Sequence, residues 1–238
     1  MRILQTLFLL SLALFCACAQ GRTFTSVKGD TLEAEISSVT GENVRLQMPD
    51  RRIITVPFGD FIPADQAYIE QWLVADAQKR DGVFRVKLQE FRKNNDTDKG
   101  IVTTRTWDAG YRVTLTNLIS RDLDGLTLQY CLYKFDAEFG GRDTGKGNIS
   151  RATGEVKIPA IRTRGDYAAE TKTLRMNSSK LHTDWYWAGG GKRRSTDDLK
   201  GIWLRVYRNG KLIFEHNSCP GASKEDKWPD DKLPVPQA

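Results

Sequence analysis

Apolar and polar positions alternate in short runs along most of this chain, and turn residues separate the runs. Arg22 to Ser26 is a short extended run ended by Gly29-Asp30. Leu32, Ala34 and Ile36 then alternate with polar residues, the period-two pattern of a strand with one buried face. Gly41-Glu42-Asn43 turns the chain, Val44, Leu46 and Met48 repeat the alternation, and Pro49-Asp50 turns it again. Ile53-Ile54-Thr55-Val56 forms a further β-rich run that stops at Pro57. Short strands joined by tight turns predict a small SH3-like barrel. Glu33, Glu35 and Arg45 fall between core positions and belong on its solvated face.

The period changes at Pro63. Ile69, Trp72, Leu73 and Asp76 fall on adjacent helical turns, Pro63 suits a first helical position, and Asp81-Gly82 stops the run, so residues 63–81 read as a helix that closes the barrel and links it onward. From Val83 the pattern is β again. Phe84–Leu88, Tyr111–Thr116, Leu126–Tyr133, Gly154–Ile158, Tyr167–Met176, Gly201–Arg208 and Lys211–Glu215 are strand candidates; Asn94–Gly100 and Gly140–Gly147 read as loops. Asn209-Gly210 between the last two is the strongest short hairpin signal, because both residues accept positive φ. The spacing predicts an immunoglobulin- or fibronectin-like β-sandwich over 82–219. The whole reads as mainly β: 1–19 a leader, 20–62 the SH3-like module, 63–81 the linker helix, 82–219 the sandwich, and 220–238 a polar, proline-bearing tail without order.

Two stretches carry family resemblances. Arg22-Thr23-Phe24-Thr25, the Gly29 turn, Leu32–Ile36, Gly41–Leu46, Ile53–Pro57 and the segment from Phe61 through Asp65-Gln66-Ala67-Tyr68-Ile69 resemble, in that order, the first Sla homology domain found in fungal endocytic adaptors and bacterial envelope proteins. In the fungal adaptors the domain binds a short peptide; for this chain the resemblance implies an SH3-like fold and a binding module, with no ligand and no ligand residues assigned. Tyr111–Leu118 followed by Leu123-Asp124-Gly125-Leu126 is similar to the opening of immunoglobulin-like modules in bacterial secreted proteins, which implies fold and no activity.

The amino terminus changes the expected compartment. Arg2, the apolar stretch Ile3–Phe15 and the small residues Cys16-Ala17-Cys18-Ala19 form a secretory leader, too short to span a bilayer comfortably. Cleavage after Ala19 and lipidation at Cys18 are both open, Phe15 departing from the usual lipobox leucine. The expected location is secreted, periplasmic or outer-envelope, with membrane contact only through such an anchor. Cys131 and Cys219 remain after processing; an oxidising compartment would permit a disulfide, and Cys131 alternatively reads as a buried strand residue while Cys219 lies in an exposed-looking turn. The precursor charge of +6 falls only by that of Arg2 on processing, a mild basicity that favours anionic surfaces. Basic residues are scattered among acids with no aromatic RNA-reading motif, so nucleic acid is not an expected partner.

The sharpest candidate site is Trp185-Tyr186-Trp187 followed by Gly189-Gly190-Gly191 and Lys192-Arg193-Arg194. Aromatic faces stack on sugars or peptide side chains, and adjacent cations hold carboxylates or phosphates. The same residues also fit a long loop whose aromatics plug the end of the sandwich. No zinc spacing, cofactor motif or P-loop occurs; His182 and His216 lie in no catalytic motif, and Asp96–Gly100 lacks the terminal Glu of a calcium loop. The expectation is a non-catalytic protein with no metal or cofactor, presenting two β-modules to a protein, a peptide or an anionic glycan. A glycan hydrolase drawing on two of Asp143, Glu155, Asp166, Glu170, Asp197 and Asp198 is the enzymatic alternative, and an assembly scaffold is a third reading.

Overall fold

A computed structural model describes residues 21–80, 82–140, 147–219 and Trp228. The chain is mainly β and divides into two compact units, one ending at Trp72 and the other beginning at Leu73, so the division falls inside the one long helix. The leader with Cys18, the loop residue Asp143 and, Trp228 apart, the tail from 220 lie outside the described residues.

The first unit is an antiparallel meander of β1 (Arg22–Thr25), β2 (Thr31–Thr40), β3 (Asn43–Gln47) and β4 (Ile53–Pro57). Phe24, Ala34, Val44 and Leu46 are buried, as the alternation predicts. β2 runs on past Ile36 because a register shift between Ile36 and Ser38 turns Val39 inward. After β4 a 3-10 turn over Phe58–Asp60 brings the chain back to β1. Phe61 bridges Ser26, Val27 N–H donates to Asp60 O (2.8 Å) and Ile62 N–H to Thr25 O (3.1 Å). This return ties the end of the meander back to its first strand. Asp65, in the first turn of helix α1 (Pro63–Lys79), is buried and accepts from Arg22 Nη2 at 2.8 Å and from Thr25 N–H at 2.7 Å. The Arg22 guanidinium also lies 4.1 Å from the centre of the Tyr68 ring.

The second unit is a sandwich of two sheets. The first sheet orders β11 (Arg194–Thr196), β10 (Leu174–Leu181), β6 (Val102–Asn117) and β5 (Phe84–Lys99), with β9 (Asp166–Glu170) on the other half of β6. The second orders β13 (Lys211–Asn217), β12 (Asp198–Arg208), β7 (Leu126–Asp136) and β8 (Asn148–Ile158). The chain alternates between the sheets, with β5–β6 and β9–β11 in the first and β7–β8 and β12–β13 in the second, so that β10 lies beside β6 and β12 beside β7. Val113, Leu115, Leu128, Leu132, Ile202 and Leu204 are buried. Tyr130 reaches across: its hydroxyl accepts from Lys172 N–H at 2.8 Å. Asn209 and Gly210 both take positive φ in the β12–β13 turn, as predicted.

Four features depart from the sequence reading. The run Tyr167–Met176 is two strands, β9 and β10, parted at residues 171–173, where Thr171 Oγ1 accepts from Tyr111 N–H. Asn94–Lys99 is strand, not loop, and pairs with Thr103–Thr106 across a bulge between Lys93 and Asp96. Cys219 is buried, not in an exposed turn. The segment after β13 folds over Gly201, where Ser218 Oγ accepts from Ile202 N–H at 2.9 Å, and Cys219 joins Cys131 and Tyr133 in one cluster beside Trp203. Both cysteines are present there as thiols, the Cys131 Sγ–H donating to Leu132 O. Trp228, within the stretch expected to lack order, packs edge-on to Trp203 at 5.2 Å with Arg205 stacked on it at 4.3 Å.

Candidate functional site

The aromatic–cation stretch forms the connection between β10 and β11. Antiparallel pairing of Lys180 with Arg194, and Leu181 N–H donating to Arg193 O at 2.9 Å, close its base. His182 N–H donates to Ile101 O at the tip of the β5–β6 hairpin. Positive φ at Gly190 and Gly191, with Gly190 N–H bonded to Trp187 O, turns the far end.

The structure separates the six candidate residues by role. Trp187 packs edge-on to Phe139 at 5.6 Å, and its indole N–H donates to Lys192 O, so this ring anchors the loop. Arg193 braces it: one terminal nitrogen donates to His182 O (3.0 Å) and Thr183 O (2.7 Å). Trp185 and Tyr186 are left exposed, at 52% and 83%, with Lys192 and Arg194 exposed beside them in the chain. Thus both readings of the loop hold in part: one aromatic plugs and two face solvent. A rigid base under two exposed rings can stack on a sugar or grip a peptide side chain.

Of the carboxylates considered for hydrolysis, Asp166 is exposed at the start of β9, and Asp197, Glu170, Asp198 and Glu155 are engaged elsewhere. Asp197 is buried between the sheets, accepting from Ala137 N–H (3.0 Å), Asn177 N–H (2.8 Å) and Lys134 Nζ (2.9 Å). Hydrogen bonds from Lys93 and Arg112 hold the Glu170 carboxyl below the usual carboxylate range, the opposite of what a general acid needs. Asp198 pairs with Lys200 and Glu155 accepts from Gln129. His182 is exposed, with Nδ1 3.3 Å from Asp184, and His216 lies in β13. Asp96 and Asp98 lie in β5, where Asp96 accepts from Thr97 N–H, and no group of three metal-ligating side chains occurs among the described residues.

Sequence reasoning missed the surroundings of Arg194. Cross-strand register aligns Lys99 and Lys180 with Thr103, and Arg194 with Lys180, while Arg105 stands two residues along β6 on the same face. These cations are separated by up to ninety-five positions in the chain, and only the pairing collects them. The available local signal was the alternation of Thr97, Lys99, Thr103 and Arg105.

No family model matches this chain, and no curated protein matches it. A solved structure, the X-ray structure of Northeast Structural Genomics Consortium target SoR45, aligns over 62% of this chain and 96% of its own at 10% identity, with a TM-score of 0.30. Likeness at that level carries no conclusion about fold or function.

Proposed function

We propose that this chain is a non-catalytic binding protein of a bacterial envelope, exported by its leader and presenting two β-modules to a protein or glycan partner. The observation that carries this reading is the exposed Trp185–Tyr186 pair on a loop that Trp187 and Arg193 hold in place. Exposed aromatics cost solvation unless a partner covers them, and a braced loop limits the entropy lost when one does. The first unit, which resembles the first Sla homology domain, supplies a second module in this reading. Binding of the purified protein to glycan and peptide arrays tests the proposal, beside a Trp185→Ala/Tyr186→Ala variant. A ligand retained by the native protein and lost from the variant is the expected result. Equal binding by both would remove the loop from the function.

A further inference from the structure

Beyond the aromatic loop, we propose that the end of the first sheet is a separate binding site for a linear acidic polysaccharide. The site comes from strand register. Odd-numbered residues of β6 share the face on which Trp107 and Ala109 are buried. Past Trp107 that face continues with Arg105 and Thr103, beyond the sandwich core. Two rows then cross four strands: Lys99–Thr103–Lys180–Arg194 and Thr97–Arg105–Ser178–Thr196. With strands about 4.8 Å apart, each row spans roughly 14 Å, and the rows lie roughly 7 Å from each other.

The charges of the two faces differ in sign and in partnering. Lys99, Arg105, Lys180 and Arg194 are exposed, and none has an ion pair or side-chain hydrogen bond among the described residues. The opposite face carries Asp96, Asp98 and Asp108 in the same strands, with Asp108 held by Asn94 at 2.7 Å and by Arg175 at 3.4 Å. Neighbouring unpaired cations repel one another, and an anionic chain laid across them removes that repulsion and releases counter-ions. The cationic face is concave. A groove of about 710 Å³ lies there, lined by Arg92, Thr97, Lys99, Arg105, Trp107, Ser178 and Thr196; Asp96, though opposite Thr106 in register, also lines it as one acid, and Lys180 and Arg194 extend the cationic row outside it. Arg92 roofs the Trp107 ring at 5.1 Å and is already paired with Glu90 at 3.2 Å, so it shapes the groove and leaves the anion to the others.

The lining chooses among polyanions. Hydroxyls of Thr97, Thr103, Ser178 and Thr196 alternate with the cations; Thr97 and Thr103 can donate to carboxylate or sulfate oxygens, while Ser178 and Thr196, which bond each other and Ser195 O, can accept from sugar hydroxyls. Single-stranded nucleic acid is held by exposed aromatic platforms, and the one aromatic in the groove, Trp107, is only 8% exposed. A flat bilayer does not reach the floor of a concave groove.

The test is titration calorimetry of the purified protein with heparin oligosaccharides and polygalacturonate, against neutral dextran and a DNA duplex. Binding to either acidic polysaccharide, weakening as salt rises, and none to dextran is expected. Lys99→Ala/Arg105→Ala/Lys180→Ala should weaken it about tenfold or more and flatten its salt dependence, with the melting temperature retained. Arg194 is left native because it borders the aromatic loop. Trp185→Ala/Tyr186→Ala should leave this binding unchanged, which separates the two sites. Should the triple variant fail to fold, Lys180→Glu, a single exposed position, gives the reading. Undiminished affinity in the folded cation variant would overturn the site, and DNA binding as tight as the polysaccharide would overturn the ligand class.

Discussion

In the body of the sandwich Lys134 and Asp197 meet at 2.9 Å with both side chains largely buried, whereas Lys99, Arg105 and Lys180 stand exposed without a counter-charge at the end of the first sheet. Both regions are built from the same antiparallel strands. In the body a polar group that enters is costly unless it finds its partner inside the protein, because water cannot reach it, and the Trp107 indole N–H is a buried group that does without one among the described residues. Beyond the core, water solvates each cation, so nothing in folding demands a partner. Charge in the body therefore tells about stability. Charge at the sheet end is free to serve a ligand.

The sharpest break of this contrast is Asp197→Ala. Its carboxylate ties Ala137, at the end of β7, to Asn177, in β10, and so joins the two sheets while neutralising Lys134. Removing it strands two backbone N–H groups and leaves the largely buried Lys134 ammonium with Asp136 as its remaining carboxylate (2.6 Å), and should destabilise by about 3 kcal/mol in urea unfolding. A loss no larger than that of an exposed acid such as Asp98→Ala would mean that water, not the protein, satisfies these donors.

Packing gives the next effect. Gly154 faces Tyr130 across the β7–β8 pair, and a Cβ there would come within 2.3 Å of the tyrosine ring. Gly154→Ala should cost about 2 kcal/mol, since Tyr130 must leave its place and with it the hydrogen bond from Lys172 N–H. Tyr130→Phe keeps the ring and loses only the hydroxyl, so it should cost less. Thermal unfolding of the two variants compares ring displacement with hydrogen-bond loss.

The sequence displayed the body better than the sheet end, and the reason is physical. Buried faces impose period-two alternation, so Leu32–Ile36, Val44–Leu46 and Leu126–Leu132 announce themselves, and Asn209-Gly210 marks its own turn through φ. Asn94–Lys99 became strand without any apolar residue, because both faces there are solvated and pairing with Thr103–Thr106 is what holds it. A polar strand and a polar loop look alike in sequence. Asp197 and Cys219 were hidden for a related reason: each is buried by segments distant in the chain, a carboxylate by the end of β7 and a thiol by the fold-back over Gly201. Of the candidate loop, residue types were legible while roles were not. Trp185 and Trp187 are equivalent on paper, and only Phe139 distinguishes the anchor from the exposed ring.

Alkaline pH sharpens the comparison through the buried groups of the body. Burial, with the nearby charges of Glu90 and Asp198, pushes the Tyr111 hydroxyl up to about 12. An unfolded tyrosine ionises near pH 10. Between these values the unfolded chain has released the proton and the folded protein has not, so stability falls as pH rises from about 10 towards 12. Lys134 acts in the same direction. Burial alone would lower its pKa, but hydrogen bonds to Asp136 and Asp197 outweigh that and raise it, so its contribution is complete below the ordinary lysine value and lost as pH climbs through the raised one. Tyr111→Phe should flatten the fall in urea midpoint between pH 10 and 12, and an unchanged slope would assign the loss to Lys134 and to Tyr130, whose hydroxyl burial also pushes up.

The smallest stability effect belongs to the sheet end. Arg105→Ala and Lys180→Ala remove exposed side chains that hold no partner among the described residues, so each should shift stability by less than about 0.5 kcal/mol. Low salt sharpens the sign. If the four cations repel one another, each substitution should stabilise slightly at low ionic strength, and the gain should fade as added salt shortens the screening length. A clear destabilisation at either position would reveal a structural partner for that cation and would join the sheet end to the body, erasing the distinction between charge that folds the protein and charge left for a ligand.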